Sequence, residues 1–314
     1  MLSMPMQDAD ISWPLLRRIA QDWAGAAGEL AEVKHLVGGA MNTTLLLVMA
    51  DGGKAVLKVS PHRVNREFTR ESQQLDLLRQ IGLPTPRVYQ THIANLDNPH
   101  SYLLMEFVEG MDLAHARKQC SPEQFDDLQR RLAEVVLSIH AQTHDEYHRI
   151  AHEAGQRFRS WTEFYRYVYD PILAELEKSS ALPKKVVRQI GKVHERLDTL
   201  LAHEDVPRLV HWDIWSTNIL AAPDAAGNWR ISAILDPNCK YAHAEAEIAY
   251  MELFKTVTPA FMKAYQQTQK LSEAYHRVRK PIYQLYPLIN HVNLFGHDYV
   301  KPLLSALERV MPLV

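Results

Sequence analysis

Residues 209–220 read Leu-Val-His-Trp-Asp-Ile-Trp-Ser-Thr-Asn-Ile-Leu, and after a short polar turn residues 231–237 read Ile-Ser-Ala-Ile-Leu-Asp-Pro. His211, Asp213 and Asn218 therefore form H-x-D-x-x-x-x-N, and Asp236 closes an apolar run 18 residues after Asn218. Two short apolar runs around the turn-forming stretch 223–228 predict a β-hairpin that returns Asp236 beside Asn218. A hairpin with a carboxylate, an amide and a second carboxylate at fixed offsets suits few chemistries. Phosphoryl transfer from ATP is the one that needs all three: Asp213 to orient the attacking hydroxyl, Asn218 and Asp236 to hold Mg²⁺. His211 reads as a brace for the loop rather than a catalyst.

The N-terminal third has the texture that such a centre requires. Ile11, Leu15, Leu16, Ile19 and Trp23 recur at helical spacing. Strands are then expected over 33–37, 43–49 and 54–59, with Asp51-Gly52-Gly53 turning the chain between the last two. Val64, Phe68, Leu75, Leu78 and Ile81 mark a helix ending at Gly82, and strands follow over 87–92 and 102–107. Gly38, Gly39 and Asn42 lie in the first turn, where a loop approaching phosphates must keep side chains out of the way. Lys58, in Ala-Val-Leu-Lys-Val, is placed to meet the α- and β-phosphates. Glu71 is its expected partner because Phe68 and Leu75 put it on the buried stripe of the helix, and the backbone around Glu106 and Val108 is the expected seat of the adenine.

Beyond Gly110 the chain reads as mainly helical, over 125–139, 161–176, 184–201, 245–254, 259–265, 275–295 and 299–310. Pro281 and Pro287 should bend or break the 275–295 helix. The reading is an α+β, two-lobed fold: an N-lobe over 1–107 with an antiparallel sheet and one helix, and a larger, mainly helical C-lobe over 108–314. The catalytic hairpin falls in the helical half.

After Asp236 the chain runs Pro-Asn-Cys-Lys-Tyr into a helix, leaving no room for a phosphorylatable activation loop. That argues for a small-molecule acceptor rather than a protein. A net charge of -2 gives no attraction for nucleic acid or a membrane surface. No apolar run reaches the roughly 18 residues of a membrane span, and the first ten residues lack a signal-peptide pattern. Cys120 and Cys239 match no metal-ligand spacing, so a cytoplasmic protein, monomer or dimer, is expected.

These motifs resemble the fructosamine kinase family, within the aminoglycoside phosphotransferase and choline kinase-like group. Trp215-Ser216-x-Asn218 is similar to that family's W-S-G-N, and His243-x-Glu245-Ala246-Glu247 to its H-R-E-A-[DE]. Residues 280–286 and 290–296 resemble its C-terminal helix. The resemblance implies a protein-kinase-like fold and ATP- and Mg²⁺-dependent phosphorylation of a sugar hydroxyl on a ketoamine. Two positions depart from the pattern: Trp212 stands where the family has Gly, and Ala244 where it has Arg.

Trp215, between the base and the metal ligand, is expected to wall the acceptor pocket. Trp161, Phe164, Tyr165, Tyr167 and Tyr169 read first as core and only second as acceptor contacts. His140, His144, His148 and His152 fall at intervals of four, a spacing that permits a metal stripe on one continuous helix, although the local composition favours separate roles. An aminoglycoside- or choline-type kinase is the alternative reading, with Glu245 among the acidic groups for a cationic acceptor. A nucleotide-binding pseudokinase is the other.

Overall fold

The computed structural model describes residues 11–25, 28–36, 42–60, 65–150, 155–203 and 205–314. They fall into two compact units. The first comprises the described residues up to Cys120 together with Thr217–Pro237, and the second comprises the rest.

In the first unit, helix α1 (Trp13–Ala24) precedes strands β1 (Leu30–His35), β2 (Thr43–Met49) and β3 (Lys54–Val59). Helix α2 (Glu67–Gln80) and strands β4 (Val88–His92) and β5 (Tyr102–Glu106) follow. The five strands form one antiparallel sheet in the order β1-β2-β3-β5-β4. The two-residue period of a strand sends alternate side chains to opposite faces. Leu45, Leu47, Ala55, Leu57 and Leu104 pack with Leu16, Ile19 and Ala20 of α1, whereas Val56, Leu103 and Met105 pack with Phe68 and Leu75 of α2. Both faces of the central strands are thus buried, which is why these strands read as near-continuous apolar runs.

The sheet does not end this unit. Strand β6 (Met111–Asp112) and helix α3 (Leu113–Gln119) stay with it, so the units do not part at 107/108. Gly110 sits where a Cβ would come within 2.6 Å of Ser232 Oγ and 3.1 Å of the Ala221 carbonyl oxygen. A side chain there would have to displace the Ser232 hydroxyl and crowd the Ala221 carbonyl, at a φ of 154° that favours glycine.

The second unit starts with α4 (Pro122–His140), whose first turn is closed by a reciprocal capping box between Ser121 and Gln124. Strands β7 (Tyr147–Arg149) and β8 (Arg157–Phe158), helices α5 (Trp161–Lys178), α6 (Lys184–Glu195) and α7 (Leu197–Leu200), and strand β9 (Arg208–Val210) follow. The single helix expected over 184–201 is therefore two.

A 3₁₀ turn at Ser216–Asn218 leads into β10 (Ile219–Pro223) and β11 (Trp229–Ile234), an antiparallel hairpin in the first unit with Ile219 opposite Ile234. β10 also pairs with β6. In the second unit, β12 (Lys240–Ala242) pairs with β9 and β7, giving a four-stranded sheet in the order β8-β7-β12-β9. Helices α8 (Ala244–Leu253), α9 (Pro259–Thr268), α10 (Lys280–Phe295) and α11 (Val300–Val310) complete the unit.

The irregularity expected from the two prolines lies upstream of both, as a π-helical turn over Tyr275–Arg279. Pro281 follows that turn in a continuous helical run, and the π turn accommodates its missing N–H, whereas Pro287 lies inside an unbroken helix. Residues 282–289 are all buried, and packing on every side offsets the one lost hydrogen bond. Among the described residues no helix is long and apolar enough to cross a membrane.

Candidate active site

Strand alternation puts Lys58 on the same face of β3 as Val56, the face covered by α2. On α2, Phe68, Glu71 and Leu75 are spaced three and four apart and share a stripe. The two patterns converge: Lys58 Nζ donates to Glu71 Oε1 at 2.5 Å, and it also pairs with Asp236 Oδ1. Burial lowers the Lys58 pKa, but the charges of Asp236 and Glu71 outweigh it and hold the ammonium pKa above its usual value. Burial raises the Glu71 pKa, and the like charge of Asp236 adds to the rise, while Lys58 opposes it.

The hairpin explains how Asp236 and Asn218 come together. Asn218 immediately precedes β10 and Asp236 follows β11 by two residues, so pairing Ile219 with Ile234 brings both to one end of the ladder. The Leu235 N–H donates to the Asn218 carbonyl at 2.8 Å and extends the ladder to that end. Asp236 itself has φ 57°, a left-handed conformation rarely taken by a residue with a side chain. Strain of that kind concentrates at functional positions.

Glu106 ends β5. Its backbone N–H donates to the Arg87 carbonyl at 2.8 Å and its carboxylate accepts the Arg87 N–H at 3.0 Å. Val108 lies two residues further along, half-buried, as does Asn42 before β2. Gly38 and Gly39 lie outside the described residues.

The loop that carries Asp213 leaves β9 in the second unit. His211 is buried and braces the loop as expected: its Nδ1 accepts the Asp213 N–H at 3.3 Å and its carbonyl accepts the Asn238 N–H at 3.0 Å. Trp212 has φ 70°, which gives a physical reason for the glycine of the family pattern at this position. Its N–H donates to Glu247 Oε1 at 2.5 Å, and Glu247 Oε2 accepts from His140 Nε2 at 2.9 Å. The Trp212 ring carries the Lys240 ammonium 4.8 Å from its centroid. Asp213 Oδ1 accepts the Tyr250 hydroxyl at 2.6 Å. Trp215 is 38% exposed, with its ring 6.5 Å from that of Phe254.

Glu245 is in a different situation from the one the sequence suggested. It is 6% exposed, and Arg279 Nε and Nη2 engage its two carboxylate oxygens at 2.6 and 2.8 Å. Both oxygens face an internal cation rather than an open pocket. Trp161, Phe164, Tyr165 and Tyr169 are core residues, and of the five aromatics on α5 only Tyr167 is exposed. The histidine series is not a stripe: α4 ends at His140, and His144 and His148 lie beyond it with their rings 4.5 Å apart. His152 lies outside the described residues, and among those described no group of three or more ligating side chains gathers to hold a metal.

Sequence reasoning missed Tyr250 and Lys240 as neighbours of the loop. Both sit in apolar or extended segments where nothing in the local pattern marks them as facing Asp213 or Trp212.

An antiparallel sheet with a lysine–glutamate pair, an H-x-D loop and a returning acidic hairpin define a kinase-like phosphotransferase. The sequence profile of the fructosamine kinase family matches residues 12–312, and the chain belongs to that family. It is 28% identical over 286 residues to a probable ketoamine kinase of Enterococcus faecium, covering 88% of this chain and 94% of that one. It is 24% identical over 314 residues to a probable ketoamine kinase of Escherichia coli, covering 95% and 99%. Among solved structures it resembles a candidate fructosamine-3-kinase from Thermobifida fusca, with TM-score 0.74, 23% identity and coverage of 95% and 99%. An aminoglycoside phosphotransferase in ternary complex with AMP-PNP and hygromycin B has TM-score 0.67 and 16% identity, covering 94% and 96%. The chain is thus a phosphotransferase acting on a hydroxyl of a sugar-derived small molecule.

Proposed function

We propose that the protein transfers the γ-phosphoryl group of ATP, with Mg²⁺, to a sugar hydroxyl of a ketoamine. The observation that carries the reading is Lys58 held between Glu71 and Asp236 with its charge retained. A buried ammonium fixed by two carboxylates is suited to pairing with the α- and β-phosphates, and Glu71 keeps it aimed. Asn218 and Asp236 offer an amide and a carboxylate oxygen, hard donors of the kind that would hold Mg²⁺. Mg²⁺ held there would supply positive charge against the transferring phosphates. Gly38, Gly39 and Asn42 supply the loop over the phosphates, and the backbone about Glu106 and Val108 receives the adenine.

Asp213 accepts the hydrogen bond of the attacking hydroxyl and takes its proton as the new O–P bond forms and the bond to ADP breaks. Trp215 offers an exposed, apolar ring face against which a sugar or its linker packs. The printed names of the relatives support the ketoamine as acceptor. The closure of Glu245 by Arg279 removes one acidic group that a cationic-acceptor reading would use.

The test is ADP release by the purified protein against fructosyl-lysine, free sugars, aminoglycosides and amino alcohols, with and without Mg²⁺. Ketoamine-dependent release that requires Asp213 and Mg²⁺ is the expected result. Release with another alcohol alone would keep the kinase and overturn the ketoamine. No release with any acceptor, together with ATP binding, would favour the pseudokinase.

A further inference from the structure

Helix α8 meets the catalytic loop at two points one helical turn apart. Glu247 and Tyr250 are three residues apart and leave the same face of the helix. Glu247 takes the backbone N–H of Trp212 at 2.5 Å, and Tyr250 donates its hydroxyl to the carboxylate of the next residue, Asp213, at 2.6 Å. One turn therefore fixes two consecutive loop residues, the first by its backbone and the second by its side chain. The first of the two is in a left-handed conformation that needs such a hold.

Tyr250 is itself fixed. Its ring lies 4.7 Å from that of Phe254, one turn further along the helix, at an interplanar angle of 56°. Its hydroxyl remains a donor at any working pH. Burial raises its pKa first, and Asp213, Tyr169 and Tyr299 add to the rise.

We propose that Tyr250 is a positioning residue for phosphoryl transfer, whose hydroxyl sets the Asp213 carboxylate in the orientation that receives the acceptor hydroxyl. This rests on the reading of Asp213 given above. An aspartate side chain has two free torsions, and a short hydrogen bond from a packed phenol removes most of that freedom. A carboxylate so held is a better-placed hydrogen-bond acceptor, at the cost of the freedom to follow the leaving proton. That trade suits a loose phosphoryl-transfer transition state, in which alignment of the attacking oxygen counts for more than early proton removal.

Tyr250→Phe deletes the hydroxyl and keeps the ring. In the full chain, with fructosyl-lysine as acceptor, both ADP released and phosphorylated acceptor formed are measured in one reaction. Transfer to the acceptor is expected to fall roughly 10- to 100-fold, the scale of a small misplacement at a reacting centre. The KM for ATP should hold, and the yield of phosphorylated acceptor per ADP should fall as water competes for a misdirected site. That yield does not depend on how much of the variant is folded, so a purely structural loss leaves it at the wild-type value. Tyr250→Met, which also lacks the hydroxyl, serves if the Phe variant does not fold. Wild-type transfer and yield in Tyr250→Phe, alongside an inactive Asp213→Asn, would overturn the proposal and leave Asp213 in its role. Turnover by Asp213→Asn would overturn both.

Discussion

The Trp212 N–H and the Glu247 carboxylate meet at 2.5 Å, and this bond holds a tryptophan in a backbone conformation that glycine adopts freely. A left-handed residue with a side chain costs roughly 1–2 kcal/mol. The Lys240 ammonium over the ring opposes that cost, because a desolvated cation–π contact contributes about 2 kcal/mol, and Lys240 is buried. The two effects nearly cancel. Trp212→Gly should therefore change unfolding free energy by no more than about 1 kcal/mol. Lys240→Met should cost less in the Trp212→Gly background than in the wild type. Denaturation of the two single variants and the double variant measures this coupling, and strict additivity would show that the ring and the ammonium are independent.

Lys58 couples Glu71 of α2 to Asp236 at the end of the hairpin. Lys58→Met leaves two carboxylates facing one another and removes the cation proposed for the phosphates. Turnover should fall by about 100-fold or more, the cost of deleting one preorganised charge-stabilising group. ATP affinity should fall far less, since the proposed phosphate loop and adenine seat keep their residues. Steady-state kinetics beside equilibrium nucleotide binding separate the two. Unchanged turnover in a folded Lys58→Met protein would remove Lys58 from the reaction.

Arg279 and Glu245 form a bidentate pair with side chains 5% and 8% exposed. Removing one partner strands a charge in the interior, so Arg279→Met should lower stability by about 3–5 kcal/mol. Glu245→Ala should likewise destabilise while leaving the ranking of acceptors unchanged. Urea denaturation and an acceptor panel check both halves. A folded, undestabilised Glu245→Ala protein that discriminates differently between cationic and neutral acceptors would return Glu245 to the acceptor site.

How much of this was legible in the sequence depended on periodicity. Strands β2 and β3 occupy the spans expected of them, because buried central strands in a small sheet are written as compact apolar runs between turn residues. The Lys58–Glu71 pair followed from combining a two-residue and a 3.6-residue period on adjacent elements. Strands β6, β8, β9 and β12 have two or three residues each, too few to show any alternation. Nearly every side chain of α8 from Ala244 to Met251 is buried, so its sequence carries no polar face to say which residues meet the loop. Tyr250 looked like one more core aromatic. Glu245 looked like an available acid because its partner, Arg279, is 34 residues away in the chain.

His243 gives the protein an acid-sensitive interior. Its ring stacks on Trp161 at 4.5 Å and 17°, its Nε2 meets the Tyr147 hydroxyl at 3.0 Å, and its Nδ1 meets the Tyr283 hydroxyl at 3.3 Å. Tyr147 donates to the Asp205 carbonyl and Trp161 donates to Tyr283, so in the neutral ring the order of donors places the His243 proton on Nε2. Burial, then His203 and Arg279, hold its pKa well below the usual histidine value. The unfolded chain therefore binds a proton near pH 6.5 that the folded chain refuses. Stability is full above that pH and declines as pH falls below it, by up to about 1.4 kcal/mol per pH unit for this residue. His148, His194 and His291 are shifted in the same direction and add to the slope. Urea denaturation at pH 7.5, 6.5 and 5.5 reads it, in a window above the titration of ordinary carboxylates. His243→Gln cannot take up the proton in either state, so its stability should decline less steeply between pH 6.5 and 5.5, whatever its absolute value. Equal slopes in the wild type and His243→Gln would mean that the folded protein accommodates a charged His243.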